Sequence, residues 1–211
     1  MASLDINLWN SPEHALQYLE RADTIPHRTE GEATLLSFLP ERVGRVLDLG
    51  SGDGRLLALV KLARPKARAV AVDFNDAMLA RLRERFAADA TVEIVAHNLS
   101  RPLPGLGTFD AVVSSFAIHH VAHERKRALY AEIHPLLSPG GVFLNLEHVS
   151  SPTAALHQRF NDALGVRPGE EDPSNKLLDV ETQLAWLREI GFQDVDCAWK
   201  WLELALLVAA K

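Results

Sequence analysis

Short apolar runs alternate with longer stretches of helical periodicity through the middle of the chain. The runs predict strands at 45–49, 67–72, 91–95, 110–114 and 142–147, with a Ser-Pro-Gly-Gly turn at 138–141. Apolar positions three and four residues apart predict helices at 54–63, 76–87 and 124–137. Because strands alternate with helices, the middle of the chain is expected to be an α/β unit with a doubly wound parallel sheet.

The pattern changes towards both ends of the chain. The elements predicted there are helices at 12–19, 30–39, 154–164 and 179–190 and strands at 195–199 and 202–208. The connection between the last two strands is so short that they predict an antiparallel hairpin. Residues 1–40 and 150–178 lie outside the repeating core. We expect the first segment to be a helical cap and the second to be a lid.

Composition fits a single domain over residues 1–211, since 47% of the chain is hydrophobic and 24% is charged. A net charge of −6 and a pI near 5.8 argue against a nucleic-acid partner. The single cysteine, Cys197, cannot form an internal disulfide, which fits a reducing compartment. There is no signal-peptide pattern, and the apolar run 204–210 is too short to span a bilayer. We therefore expect a cytoplasmic protein with no membrane partner, either a monomer or a homodimer.

Three alternating glycines follow the first predicted strand, and a helical pattern begins directly after them. Gly50, Gly52 and Gly54 give the turn that binds nucleotide-like ligands in many α/β proteins. The third glycine of the dinucleotide fingerprint is missing, because Arg55 stands there. Asp48, just before the turn, would repel a pyrophosphate but suits a ligand with an ammonium and a sulfonium. A glycine-rich turn without a ligand remains the alternative.

This combination resembles motif I of the class I S-adenosylmethionine-dependent methyltransferases. Residues 109–120 resemble that family's strand-four motif, and residues 134–141 resemble its signature before strand five. The resemblance covers about residues 40–148 and is closest to small-molecule methyltransferases of bacteria. It implies a Rossmann-like fold with a mostly parallel seven-stranded sheet, an antiparallel C-terminal strand, and S-adenosylmethionine as the cofactor.

The resemblance and the strand ends together give a set of candidate cofactor contacts. The set is Arg28, Asp48, Gly50, Ser51, Gly52, Asp73, Phe74, Met78, Asn98, Leu99 and Ser115. Asp73 ends the second strand about 20 residues after the glycines, where an acid contacts ribose hydroxyls. Asn98 is expected at the adenine amino group, with the amide of Leu99 on a ring nitrogen, and Arg28 at the cofactor carboxylate.

Each of these assignments has a structural alternative. Asp73 can be a helix cap, although Asp76 is also placed to cap the following helix. Phe74 and Met78 can be ordinary core residues, and Asn98 can be a loop asparagine.

A histidine cluster follows the fourth strand, where this fold brings the reactive methyl group. His119, His120 and His123 stand beside Glu124. We expect His119 or His120 to be a general base rather than part of a metal site, and no metal is predicted. The simpler alternative is that one histidine fills space under the cofactor and the others are solvated.

The sequence therefore predicts methyl transfer to a small molecule. A cofactor-binding module without catalysis and an enzyme that modifies the cofactor itself are the alternatives. A short-chain dehydrogenase is excluded, because such enzymes carry a Tyr with a Lys four positions later. Here Tyr130 precedes His134 at that spacing, and Tyr18 precedes Ala22.

Overall fold

Seven strands form one sheet in the computed structural model, which describes residues 7–167 and 169–211. The strands are β1 (Arg45–Leu49), β2 (Arg68–Asp73), β3 (Val92–Ala96), β4 (Phe109–Ser115), β5 (Leu137–His148), β6 (Gln193–Trp201) and β7 (Leu204–Ala210). The α-helices are α1 (Pro12–Ala22), α2 (Arg28–Ser37), α3 (Arg55–Ala63), α4 (Asp76–Arg85), α5 (His123–Leu136), α6 (Ala154–Leu164) and α7 (Val180–Ile190). Two short 3-10 helices are Leu8–Asn10 and Ile118–His120.

The order of strands in the sheet is β3-β2-β1-β4-β5-β7-β6. Strands β1 to β5 pair in parallel, and β7 runs antiparallel to both β5 and β6. The predicted fold, with its antiparallel C-terminal strand, is confirmed. The chain winds outward to β3 and then returns to place β4 on the other side of β1. The carboxyl ends of β1 and β4 therefore border the crevice where ligands bind in open α/β sheets.

Both faces of the sheet are covered, which is why its strands are apolar without alternation. Helices α2, α3, α4 and α6 contribute to the core on one face, and α5 and α7 contribute on the other. Helices α2 and α3 are also held to each other by ion pairs. The buried carboxylate of Glu32 in α2 accepts hydrogen bonds from Nε of Arg28, at 2.9 Å, and from Nε of Arg55 in α3, at 2.8 Å. Helix α2 is thus bonded to α3, the helix that follows the glycine turn.

The expected turn at 138–141 is wrong, because β5 begins at Leu137, directly after α5. Phe109 pairs with Leu137, and the next pair is Ala111 with Val142, so a bulge in β5 takes up the extra residues. Gly140 has a φ of 76° within this bulge. The Pro-Gly-Gly sequence has the turn chemistry that the prediction used, but it lies in a bulge, and β5 pairs with β4 on both sides of it.

Gly31 in α2 marks the tightest helix–sheet contact. A Cβ built there would lie 2.8 Å from Cδ1 of Leu146 and 2.9 Å from the ring of Trp199. We expect Gly31→Ala to lower the free energy of unfolding by about 1–3 kcal/mol through overpacking, despite the gain of about 1 kcal/mol in helix propensity. Urea denaturation measures this. Gly105→Ala is the control, since nothing lies within 4 Å of its Cβ position. A stabilised Gly31→Ala variant would contradict the packing argument.

Candidate active site

The turn after β1 lies against the start of the segment that follows β4. Gly50 has a φ of 69°, and a Cβ at this position would lie 2.2 Å from Cβ of Ala117. Only glycine fits there, on grounds of both conformation and space. The backbone amides of Gly50 and Ser51 donate to the carbonyl of Val72, at 2.8 and 2.9 Å. The turn is thereby fixed to the end of β2.

A cavity, here called the first cavity, opens at this turn. It is lined by all eleven candidate cofactor residues and His120, together with further residues that include Asn7, Trp9, Tyr18, Asp53, Arg55 and His97. The structure thus brings together predicted site residues that are up to 92 positions apart, from Arg28 to His120. His119 does not line the first cavity.

Asp48 is the most unusual group in the first cavity. It is 1% exposed, and neither of its carboxylate oxygens has a hydrogen-bond partner in the described chain. Burial raises its pKa to about 7 against the opposing effect of the nearby Ser51 hydroxyl, and the carboxylates of Asp73 and Asp53 add to the rise. Nε1 of Trp9 and Oγ of Ser115 are likewise buried without a partner among the described residues. The cavity therefore presents a carboxylate, an N–H and a hydroxyl to a polar ligand.

The carboxylate of Asp73 is already engaged with backbone. Oδ2 accepts from the amide of Gly52 at 2.8 Å, and Oδ1 accepts from the amides of Phe74 and Asn75 at 2.7 and 2.9 Å. Burial raises its pKa, although these three hydrogen bonds oppose the shift. Asp73 thus links the glycine turn to the end of β2, while its remaining lone pairs are free to accept from a ligand.

The cap of α4 is Asn75, which corrects the expectation for Asp76. Oδ1 of Asn75 accepts from the amides of Ala77 and Met78, at 2.9 and 3.1 Å. Asp76 is the first residue of the helix and is exposed. The capping alternative for Asp73 is wrong for the same reason.

Two other candidates already have partners. Oδ1 of Asn98 accepts from the amide of Ser100 at 2.9 Å, so its carbonyl stabilises its own loop. The guanidinium of Arg28 donates through Nε to Glu32 and through one terminal nitrogen to Tyr18 Oη and the Ala22 carbonyl, both at 3.1 Å. The second terminal nitrogen of Arg28 has no hydrogen-bond partner within the described residues.

His119 and His120 lie in the 3-10 helix after β4, with ring centroids 3.9 Å apart. Nδ1 of His119 is 2.8 Å from Oε1 of the fully buried Glu147 on β5. Burial lowers the pKa of both imidazoles well below the ordinary value. Both are therefore neutral near pH 7, the form that accepts a proton. His123 instead faces the carbonyl of Leu177 at 3.1 Å and lines neither cavity.

A second cavity of about 500 Å³ adjoins the first. The walls shared by the two are Trp9, Tyr18, Phe116 and His120. Apolar side chains make up much of its surface, with Leu8, Ile25, Phe160, Leu164, Val166, Leu177 and Leu204 among them. Its histidines are His14, His119, His120, His148 and His157, and its carboxylates are Glu170, Glu171 and Asp172. No Lys or Arg lines it within the described residues, and no group of three metal-ligating side chains occurs there.

The sequence did not reveal most of the second cavity. Trp9 and His14 come from the N-terminal segment, His148 from the end of β5 and His157 from α6. No local spacing relates them, because only the tertiary fold brings them together. His148 alone had a local signal, since a polar residue at the carboxyl end of a strand marks the ligand edge of the sheet.

The glycine turn, the acids after β1 and β2, and the strand order together define an α/β domain that binds a nucleotide-like ligand. Residues 46–141 match the family model described as a methyltransferase domain. A demethylmenaquinone methyltransferase from Clavibacter sepedonicus is 31% identical over 180 residues, which cover 78% of this chain and 71% of that protein. The chain therefore belongs to the class I S-adenosylmethionine-dependent methyltransferases, as the sequence predicted.

Two further similarities support less, because one covers about half of each chain and the other shows the fold alone. An uncharacterized methyltransferase from Mycobacterium tuberculosis is 38% identical over 110 residues, covering 52% of this chain and 53% of that protein. The chain thus spans about half the length of this relative. Human N-acetylserotonin methyltransferase in complex with S-adenosylmethionine shares the fold, with a TM-score of 0.70 and 18% identity over 97% of this chain and 57% of that one. None of the helices in the described part of the chain is long and apolar enough to cross a membrane.

Removal of the Asp73 carboxylate tests its structural role. Asp73→Ala leaves three backbone amides without their acceptor, so we expect the cofactor-free protein to lose about 1–3 kcal/mol of unfolding free energy. Asp76→Ala is the matched control in the same stretch, and we expect a change within about 0.5 kcal/mol. Urea denaturation at pH 8 measures both. Equal losses in the two variants would show that the three hydrogen bonds contribute nothing specific.

Proposed function

We propose that this chain transfers a methyl group from S-adenosylmethionine, bound in the first cavity, to a small molecule bound in the second cavity. The observation that carries the proposal is the shared wall between the two cavities, in which His120 lies. When bound, the cofactor supplies a methyl group on a sulfonium, and an acceptor atom attacks it in line. The protein's part is to orient the two molecules and to exclude water between them.

The first cavity fits this cofactor by its chemistry. The unpaired carboxylate of Asp48 suits the cationic part of the cofactor, and the free lone pairs of Asp73 suit ribose hydroxyls. The unpartnered nitrogen of Arg28 suits the cofactor carboxylate. Asn98 and Leu99 lie at the end of the cavity beyond β3, where we place the adenine ring. Gly50, Ser51 and Gly52 allow close approach, while Phe74, Met78 and Ser115 complete the lining.

The second cavity suits an uncharged acceptor that is largely apolar. Its aromatic and aliphatic walls favour a ring, and the lack of Lys or Arg in the lining disfavours an anion. A binding module without catalysis has no use for a second cavity of this size beside the first. Modification of the cofactor itself would also leave most of it unused. Methyl transfer is therefore the function that the two cavities favour.

His120 is the proposed general base, for an acceptor whose nucleophile is protonated at the working pH. It is the one histidine of the 3-10 helix that lines both cavities. His119 has no contact with the first cavity, and its bond to Glu147 makes it a support for the ring of His120. We assign it a positioning role beside the base.

The cap and the lid are part of the proposal. The N-terminal segment, 1–40, supplies Trp9 and Tyr18 to both cavities, and the segment 150–178 supplies walls of the second. Both segments thus cover the carboxyl edge of the sheet and govern acceptor choice. The partly buried thiol of Cys197 fits a cytoplasmic location. A monomer or a homodimer remains the expectation.

Cofactor binding should release a proton from Asp48. Its folded pKa of about 7 lies above the ordinary 3.8, so the carboxyl is largely protonated at pH 6.5 in the cofactor-free protein. A cationic ligand lowers this pKa, and roughly half a proton or more is expected to leave on binding. Calorimetric titration in two buffers with different ionisation enthalpies counts the protons.

Asp48→Asn is the matched variant and should abolish the release. S-adenosylmethionine and S-adenosylhomocysteine are expected to bind, and nicotinamide and flavin dinucleotides are not. The same proton release from wild type and Asp48→Asn would exclude Asp48 as its source. Tight binding of NAD with none of S-adenosylmethionine would overturn the proposed function.

Replacement of His120 tests the base. We expect His120→Ala to lower turnover by about 10²- to 10⁴-fold while cofactor affinity survives. Transfer of labelled methyl groups into a metabolite extract identifies an acceptor, and turnover is then measured with that compound. His134→Ala is the control, since His134 packs on Phe192 outside both cavities. Full turnover in His120→Ala would leave positioning alone as the source of catalysis.

A further inference from the structure

The segment 169–178 contacts His120 through Ser174, which is itself bonded to Asp172. Ser174, 1% exposed, places its Oγ 3.3 Å from Nδ1 of His120. The same Oγ is 2.6 Å from Oδ1 of Asp172, which also accepts from the amide of Ser174 at 2.8 Å. Three polar groups, a carboxylate, a hydroxyl and an imidazole, therefore form a continuous chain of contacts that ends at the wall between the two cavities.

The number of available protons fixes the direction of each hydrogen bond. A serine hydroxyl has one hydrogen, and the short contact to the carboxylate of Asp172 takes it. Burial alone would raise the pKa of Asp172, but that pKa lies below the ordinary value, and the hydrogen bonds from the hydroxyl and the amide of Ser174 are the largest causes that lower it. The carboxylate is thus an acceptor only. Oγ of Ser174 is then placed to accept from Nδ1–H of His120.

A neutral imidazole carries one proton, so a protonated Nδ1 leaves Nε2 with its lone pair. The side-chain hydrogen bond at this ring joins Nδ1 to Oγ of Ser174. The backbone of Ser174 also bonds to the imidazole and raises its pKa. The charged and titratable groups around the ring are His119 on one side and Asp172 and Glu147 on the other. Burial and His119 lower the pKa of His120 more than the two carboxylates raise it, and the ring stays neutral.

The segment that carries Asp172 and Ser174 is docked on the same 3-10 helix and on α1. The amide of Lys176 donates to the carbonyl of His119 at 2.7 Å. Nε2 of His14 in α1 is 3.4 Å from Oδ2 of Asp172. The contact to Ser174 is therefore made only while the segment lies in this position. His119 differs, because its partner Glu147 belongs to β5 in the core of the sheet.

We propose that Asp172 and Ser174 are positioning residues that hold His120 in the tautomer with an unprotonated Nε2, so that docking of the segment 169–178 prepares the base. The role of the base rests on the proposed function, whereas the tautomer does not. In the reaction, Nε2 takes the proton of the acceptor as the acceptor atom binds the methyl group. The Nδ1 proton stays on His120 and remains hydrogen-bonded to Oγ of Ser174. The imidazolium that forms is stabilised by the nearby carboxylate of Asp172.

The test is nitrogen NMR of the full chain with labelled histidine and bound S-adenosylhomocysteine. Wild type is expected to show a protonated Nδ1 and an unprotonated Nε2 on His120. Ser174→Ala should lose this preference, and Ser174→Thr should restore it. Asp172→Ala frees the hydroxyl hydrogen of Ser174 to point at Nδ1, so the proton should move to Nε2. Asp172→Asn keeps an acceptor oxygen and should retain the wild-type tautomer.

The tautomer of His119 is the internal control, because Glu147 holds it independently of the segment. It should stay unchanged in all four variants, as should the affinity for S-adenosylhomocysteine. A wild-type His120 with an unprotonated Nδ1 overturns the proposal. An unchanged His120 tautomer in Ser174→Ala does the same.

Turnover separates this proposal from the proposed function. We expect kcat to fall about 10- to 100-fold in Ser174→Ala and further in Asp172→Ala, with unchanged KM for S-adenosylmethionine and recovery in Ser174→Thr. Unchanged kcat in Ser174→Ala despite a changed tautomer overturns the positioning role. If the expected tautomers are found but no acceptor is methylated, the tautomers support the hydrogen-bond assignment. The lack of methyl transfer then overturns the proposed function.

Discussion

The close approach of Gly50 to Ala117 is the contact on which the site depends. It places the turn after β1 directly against the segment after β4, so the carboxyl ends of these two strands, Leu49 and Ser115, form one edge. His119 and His120 follow Ala117 at once and are carried to that edge by the same contact. Any side chain at residue 50 would push the two turns apart, and both cavities share walls that these turns position.

Buried charge is distributed unevenly around this edge. The carboxylate of Glu32 lies between Arg28 and Arg55, and that of Glu203 lies between His148 and His157, at 3.0 and 2.7 Å. Both are compensated within the fold. Asp48 is not, and a buried carboxylate without a partner is costly unless its pKa rises, as it does here. The carboxylate of Asp48 has no compensating cation among the residues that the structure describes and lies at the ligand site, where a bound cation would stabilise it. The paired carboxylates of Glu32 and Glu203 instead support the walls.

The sequence predicted those features that have local causes. Helical and strand periodicity predicted the seven strands. Strand ends together with the family resemblance gave eleven of the residues that line the first cavity. It failed where two local signals compete, as when Asn75 rather than Asp76 caps α4. It also failed where turn-forming residues are taken up in a bulge of a longer strand, as at 138–141 in β5. Most of the second cavity was missed for a related reason, because Trp9, His14 and His148 share no period and meet only in the folded chain.

The polar stretch before α7 illustrates how composition can mislead about order. It belongs to the segment expected to be a lid, yet Asp172 is bonded to Ser174, and Ser174 contacts His120. Hydrogen bonds of this kind hold a segment by a few specific contacts rather than by a large apolar area, so the segment can separate from the site without exposing a core. Of the two neighbouring histidines, His119 is therefore held by the sheet through Glu147. The other is bonded to a segment that also walls the second cavity, so under our proposal a movement of that segment away from the cavity would also release the ring of His120.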